Sequence, residues 1–507
     1  MTATPSVPGP VAAPPADQDA PAQPEPTASA GREIILATAV AGAVGAAALP
    51  LSRVGIGWPV CALAVLAVVL VARRHRRAGA DRDLSDAAWQ VVAGAAALFL
   101  IATAAWRAAG WLVAICVAAG VLLGSYALAG GRRWLGVVGG ALSFIPATVQ
   151  GLGWAAQGGR ALSGERRGTQ PAARALAGFA VGVVLLVVFG SLFRAADPAF
   201  DALVARWTSG ISVATVTRAA FGGLLVLLAA VAVAHLVSNP PAVAVAGDPP
   251  VRPALRVLEW AVPVAMLDAL FAAFVWVQVT VLFGGEAYVL GAGGPDYAVY
   301  ARGGFIELGF VTVLTLGVMA LLAALAGRTT RLELGLLRLL GGALAALTLV
   351  VIASALTRLG LYANAYGFTV PRLIGYAGVV WLGLVFGLIL AAGVRLRAPW
   401  LPRATAAAAV AVLIGLVAVN PEAVMARSVL ARLETPYPVD YFYLSILSAD
   451  AVDELDRLPE PGRSCLLEPI ALDLAPDEPW YAWNVAREHA REVLERRPRD
   501  PECHWPR

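Results

Sequence analysis

Twelve long apolar stretches follow one another along this 507-residue chain, and no other feature narrows its possible folds as much. They occupy 33–51, 55–72, 87–106, 110–129, 134–155, 174–193, 213–237, 258–283, 305–326, 337–356, 373–394 and 401–419. Most run near the ~20 residues that a helix needs to cross ~30 Å of hydrocarbon at 1.5 Å per residue. Inside hydrocarbon each backbone N–H and C=O must find its partner within the segment, so stretches of this kind predict helices. Only 14% of the residues are charged, against ~25% in water-soluble domains, which leaves lipid as the solvent for most of the chain. The expected fold class is therefore all-α, a polytopic transmembrane helix bundle. Small-xxx-small pairs such as Gly178 with Gly182 and Gly383 with Gly387 allow close helix packing in lipid.

Arginine placement orients the bundle, because basic loops stay in the cytoplasm. Arg73, Arg74, Arg76, Arg77 and Arg82 follow the second stretch, which puts that loop and the N-terminus inside. If all twelve stretches crossed, Arg160, Arg166, Arg167 and Arg174, and later Arg328, Arg331 and Arg338, would fall outside. The conflict disappears if one early stretch does not cross. The stretch 134–155 is the best candidate, since Pro146, Gln150, Gln157 and several glycines interrupt its apolar character. It is expected to be re-entrant or interfacial, leaving about eleven crossings, with ten to twelve compatible. An odd number places everything after Val419 outside the cell.

The flanks differ from this apolar middle. Residues 1–31 are rich in Pro, Ala and acidic side chains and cannot bury enough apolar surface to fold, which predicts a disordered cytoplasmic tail. A secretory signal would begin with a basic region and an apolar core, and neither is present there. Residues 32–419 form the multi-span domain. Residues 420–507 are polar and charged, with a helix expected over 480–495, and read as a small helical extracytoplasmic domain. Its core is too small for independent stability to be assumed. Cys465 and Cys503 both lie there and are a candidate disulfide in an oxidising compartment, while Cys61 and Cys116 lie in apolar stretches as small buried hydrophobes.

Composition also removes chemistries. The chain contains no lysine, so a phosphate-cradling P-loop, a pyridoxal Schiff base and a Ser-x-x-Lys hydrolase cannot be built. Arginine in place of lysine, with heavy use of Ala, Gly, Val, Leu and Pro, matches a GC-rich, actinobacterial type of genome. His75, His235, His489 and His504 are scattered, and neither a His-Glu-x-x-His nor a Gly-x-Ser-x-Gly run occurs, which argues against metal and serine-hydrolase sites. No cofactor is implied. A net charge of +4 gives no footprint for nucleic acid, and membrane lipids are the partners that the composition demands.

Polar side chains within hydrocarbon need a reason, since a central charge costs ~2.5–3.5 kcal/mol on insertion scales. Asp268 lies mid-stretch, with Gln278 further along; it is either a binding or proton-relay carboxylate or one half of a pair between helices. Arg302 precedes the next stretch and Glu307 lies just inside it; at five residues apart they would point ~140° away from each other on one helix. Arg358, Tyr362 and Tyr366, spaced by four, would share a helical stripe, with Arg372 after Pro371. An arginine among tyrosines can hold an anionic headgroup or phosphate, or can belong to an interfacial belt.

The run Tyr297-Ala-Val-Tyr-Ala-Arg-Gly-Gly-Phe-Ile-Glu-Leu308, after Leu-Phe-Gly-Gly at 282–285, resembles the signature of an uncharacterised bacterial family of multi-span proteins carried as a domain of unknown function. Its pattern is Tyr-Ala-x-Tyr-Ala-Arg-x-Gly-Phe-x-Glu-Leu. The segment from Arg358 to Arg372 is similar to that family's second signature, and Leu444-Ser-Ile-Leu-Ser-Ala-Asp-Ala451 to its C-terminal one. The resemblance covers roughly Leu176 to Leu458. It departs after Arg427, where the family pattern has an asparagine and this chain has Ser428 and Val429. The resemblance implies a polytopic membrane protein without an assigned activity.

Three functions compete. The first is binding or transport of an anionic or lipid-linked ligand at the outer face, using Arg302, Arg358 and Arg372 with Asp268 deeper. The second is a non-catalytic scaffold or sensor whose C-terminal domain meets an envelope partner. The third, a membrane glycosyltransferase, ranks last. Such enzymes carry an acidic pair in the first external loop, and 52–58 has no acid.

Overall fold

The computed structural model describes residues 30–51, 53–75, 84–162, 213–241, 255–283, 297–328, 330–396, 398–431, 441–474 and 478–500, with a few isolated positions between 182 and 200. Of the expected N-terminal tail, 1–31, residues 1–29 lie outside these residues, as does the stretch 174–193 apart from those isolated positions. Among the described residues the fold is helical, and Leu255 with Ala326 forms an isolated β-bridge.

In chain order the long helices are α1 Arg32–Ala48, α2 Gly57–His75, α3 Leu84–Ala102, α4 Gly110–Ala129, α5 Trp134–Leu142, α6 Phe144–Leu162, α7 Val213–Ser238, α8 Val257–Phe283, α9 Tyr297–Leu325, α10 Arg331–Tyr366, α11 Val370–Arg395 and α12 Leu401–Val419. Nine of the described helices, α2 to α4 and α7 to α12, are long and apolar enough to cross a membrane. At 17 residues α1 is slightly shorter, yet it packs along α7 through glycines. A Cβ on Gly45 would lie 2.6 Å from the Gly222 carbonyl oxygen and from Val226, so only glycine admits this approach.

The bundle has two distinct ends. At the end where α1 begins, Glu33 pairs with His75 at 2.6 Å, and Asp86 at the start of α3 pairs with Arg132 after α4 and Arg403 at the start of α12. The bridge between Leu255 and Ala326 lies at the same end, ahead of α8 and after α9. At the other end the α1–α2, α3–α4 and α10–α11 connections are covered by the C-terminal residues. Successive spans alternate between these ends.

The pair α5 and α6 departs from the alternation, as the interruptions in its sequence predict. The two helices meet at 50°, with the break at Ser143 rather than at Pro146. Proline sits in the first turn of α6, where its missing N–H breaks no intrahelical bond. Its contacts among the described residues lie toward the end where α1 begins. The Ser125 hydroxyl donates to the Gly140 carbonyl and accepts from Phe144 N–H, Ala147 packs on Leu128, Ala232 and Leu236, and Trp154 meets His235 edge-on. A Cβ on Gly158 would lie 2.4 Å from the Ala30 carbonyl oxygen. The pair thus enters and leaves at one end of the bundle, and Leu162 and Val213 stand at opposite ends.

After Val419 the chain forms a compact helical cap: α13 Pro421–Leu430, α14 Tyr441–Ser445, α15 Val452–Leu455, α16 Gly462–Asp473 and α17 Val485–Arg496. The helix expected over 480–495 begins later. Trp480–Ala482 is a 3₁₀ turn, and Asn484 starts α17 by accepting from the N–H groups of Ala486 and Arg487, an N-cap that the sequence reading overlooked. Met425, Leu444, Leu455, Leu466, Leu467 and Ala490 share one apolar core with Leu373 of α11, and Trp111 of α4 packs against it. The cap is completed by the bundle it sits on.

Candidate functional site

Polar groups concentrate where the cap meets the bundle. Asp450, 2% exposed, accepts from the backbone N–H groups of Ala108 and Ala109 at 2.8 Å each, at the N-terminus of α4 where four amides lack intrahelical partners. Arg107 approaches the same carboxylate at 3.6 Å and donates to the Val417 carbonyl at the end of α12. Asn484 donates to the carbonyls of Ala104 and Arg107, so one amide group both caps α17 and ties it to the α3–α4 connection. Glu422 accepts from Trp111 Nε1 at 3.3 Å and from Ser448 N–H and hydroxyl at 2.6 Å each. Burial pushes the carboxyls of Glu422 and Asp450 above their ordinary values, against the pull of these donors.

A second set of contacts holds the α1–α2 connection. Ile56 N–H donates to the Trp483 carbonyl at 2.9 Å, Arg487 pairs with Glu478 at 2.7 Å with both side chains buried and donates to the Val54 carbonyl, and Arg53 pairs with Asp473. The Arg218 guanidinium at the start of α7 stacks on Tyr481 at 4.3 Å.

The α10–α11 turn is the third attachment, and it carries the arginine and tyrosine cluster. Helix α10 continues to Tyr366, as the proposed stripe of Arg358 and Tyr362 requires. The hairpin folds Arg372 back so that its guanidinium lies 4.2 Å above the Tyr362 ring and donates to the Gly367 carbonyl. Beside it, Phe368 N–H donates to the Ser428 hydroxyl and Val370 N–H to the Tyr443 hydroxyl. Ser428, the position that departs from the resembled pattern, therefore anchors this turn. Its neighbour Arg427 pairs with Glu454 at 2.6 Å.

The other sequence-selected residues are dispersed. Asp268 is half-buried midway along α8, and neither carboxylate oxygen has a hydrogen-bond partner among the described residues. Further along α8, Gln278 accepts from the Ser354 hydroxyl at 3.0 Å. Glu307 is exposed on α9. Arg302 also falls in α9, but its side chain, like that of Tyr366, lies outside the described residues. Cys465 is buried and disulfide-bonded, Cys61 and Cys116 are free, and Cys503 lies outside the described residues. Among the described residues no three His, Cys, Asp or Glu side chains converge to hold a metal ion.

Two of the three resembled segments, the one from Arg358 to Arg372 and the one from Leu444 to Ala451, thus meet at the cap interface. Comparison with protein families finds a match: a domain of unknown function, DUF4153, over residues 94–458. The chain belongs to the DUF4153 family. The DUF4153 match begins inside α3, well ahead of Leu176, where the resembled region starts, so it takes in the α3–α4 connection that binds Asp450. It ends within the cap, before α16 and α17. No curated protein matches the chain, and no solved structure does.

Proposed function

We propose that this integral membrane protein lies in the plasma membrane with its N-terminus in the cytoplasm and its C-terminal cap outside, where it recognises an anionic or lipid-linked ligand. The orientation follows from arginine bias. Among the span ends and connections the uncapped end gathers Arg73, Arg74, Arg132, Arg133, Arg256, Arg328, Arg331, Arg338, Arg395 and Arg403, against Arg53, Arg107, Arg218, Arg358 and Arg372 at the capped one. With 174–193 as the further span beside α1 and the nine helices of sufficient length, about eleven crossings result. A Cys465–Cys503 bridge fits the oxidising side.

Arg372 stacked on Tyr362, with Arg358 one turn below on the same stripe of α10, is the observation that carries the ligand reading. Stacking fixes a guanidinium plane that matches phosphate or carboxylate geometry. Asp268 lies deeper, on α8. The test is titration of the protein in neutral nanodiscs with a polyprenyl phosphate and with the uncharged polyprenol. Charge-assisted hydrogen bonds of ~1.5–3 kcal/mol make the phosphate bind roughly ten- to a hundredfold tighter, a preference that Arg372→Gln and Arg358→Gln reduce. Equal binding of phosphate and alcohol, or variants that behave as the parent does, defeats the proposal.

The buried carboxylates Glu422 and Asp450 favour a second reading, in which the cap is a sensor that lifts from the bundle to meet an envelope partner. Photocrosslinking from exposed cap positions in intact cells recovers such a partner if this reading holds. Capture that is unchanged when the cap is locked down by an added disulfide counts against it.

A further inference from the structure

The uncapped end of the bundle carries a feature unrelated to the ligand proposed above. Between α3, α11 and α12 lies a crevice of about 960 Å³. Its walls are made by Gly383 and Gly387 of α11 and by Ala404, Ala407, Ala408 and Ala411 of α12, whose small side chains leave a furrow. The furrow runs along α12 from Trp400 to Ala411, about 16 Å at 1.5 Å per residue. That is close to the ~15 Å hydrocarbon depth of one leaflet.

The mouth of the furrow is charged and aromatic. Arg403, Arg132, Trp89 and Trp400 line it. The Arg403 side chain is only 16% exposed. Its Nη2 pairs with Asp86 at 2.7 Å, and its Nε donates to the Tyr126 hydroxyl and the Gly131 carbonyl at 3.2 Å each. Its Nη1 has no hydrogen-bond partner among the described residues. Asp86 also accepts from Arg132 Nε at 2.9 Å and pairs with its Nη2 at 2.8 Å. Two guanidiniums thus share the Asp86 carboxylate, and Arg403 keeps Nη1 as a donor for an anion at the mouth. The Trp89 and Trp400 rings belong to the aromatic level at which headgroups meet hydrocarbon.

We propose that this crevice holds an anionic glycerophospholipid of the leaflet on the uncapped side. One acyl chain lies in the glycine and alanine furrow, and the headgroup phosphate lies against Arg403 Nη1. The fixed guanidinium supplies what a zwitterionic lipid cannot fully exploit, because its own cationic amine offsets the phosphate in the field of the paired arginines.

Native mass spectrometry of the full chain, released from nanodiscs of equimolar phosphatidylglycerol and phosphatidylcholine, reads the lipid retained. The expected result is phosphatidylglycerol enriched about fivefold, the effect of one interfacial arginine. Gly387→Leu tests the furrow: a Cβ there meets nothing within 4 Å, so the larger side chain fills the crevice without disturbing the helices, and retention of both lipids falls. Arg403→Gln removes the preference for phosphatidylglycerol. Equal retention of the two lipids by the unmodified protein overturns the proposal, as does retention unaffected by Gly387→Leu. So does a lipid-free dimer broken by Gly387→Leu, which would assign the small-residue face to a second copy of the chain.

Discussion

Replacing Asp450 with alanine should release the cap from the bundle. The carboxylate is 2% exposed and serves three donors: the N–H groups of Ala108 and Ala109, and Arg107. Truncation strands the buried Ala109 amide at ~1–3 kcal/mol and leaves Arg107 without its acid, a buried pair whose one-sided loss costs ~3–5 kcal/mol. These effects share one carboxylate and do not add, so the expected loss is ~3–5 kcal/mol. At ~1.4 kcal/mol per decade the equilibrium for cap opening rises by about a hundredfold to a few thousandfold. Hydrogen exchange in nanodiscs reads this directly, through the protection of amides in α15 and α16, where exchange reports the opening equilibrium. Asp450→Asn keeps one acceptor oxygen and should fall between parent and Asp450→Ala. A change below about tenfold in Asp450→Ala would mean that the apolar contacts around Met425 and Leu444 hold the cap unaided, and the polar latch would be dismissed.

The raised Glu422 and Asp450 carboxyls make docking depend on pH. Their folded values exceed the ordinary 4.5 and 3.8, so the contribution is complete below those values and is lost as pH rises through the raised ones. Cap opening measured by exchange therefore increases with pH, in the presence of Arg107 and Trp111 that face them, and Glu422→Gln flattens the dependence. Gly45→Val should cost ~1–3 kcal/mol or more of thermal stability in detergent, because its Cβ collides with Gly222 and Val226 on α7. Gly317→Ala on α9, where nothing lies within 4 Å, is the control and leaves the melting midpoint at or above the parent value. Asp268→Asn should raise the midpoint in nanodiscs, by about 1–2 kcal/mol of the ~2.5–3.5 kcal/mol central-charge penalty because the side chain is half-buried; a lowered midpoint would reveal a partner for the carboxylate.

The membrane-spanning architecture was legible because apolar run length is a local property: α2, α4 and α12 lie almost residue for residue on the stretches that hydropathy marks. The irregular α5–α6 pair was legible for the same reason, through Gln150, Gln157 and the arginines that follow it, although the break falls at Ser143 and not at Pro146. The meeting of Tyr362 with Arg372 needed only a helix continuing past Leu356 and a tight turn after Tyr366. The cap latch was not legible. Asp450 and Ala109 are 341 residues apart, Asn484 and Ala104 are 380 apart, and neither Asp450 nor Asn484 sits in a pattern that names a distant partner. The triad of Asp86, Arg132 and Arg403 escaped for the same reason, its members lying on three separate loops and helix ends.

Thiol accessibility in intact cells tests the central claim, that the cap stands outside while α5 and α6 together stay on the cytoplasmic side. Single cysteines at Arg133, Gln157 and Glu495, all exposed, are introduced into a chain cleared of its four native cysteines and treated with a membrane-impermeant maleimide before and after lysis. The account predicts labelling at Glu495 in intact cells and at Arg133 and Gln157 only after lysis. Arg133 and Gln157 reacting from opposite sides, or Glu495 reacting only after lysis, would contradict it.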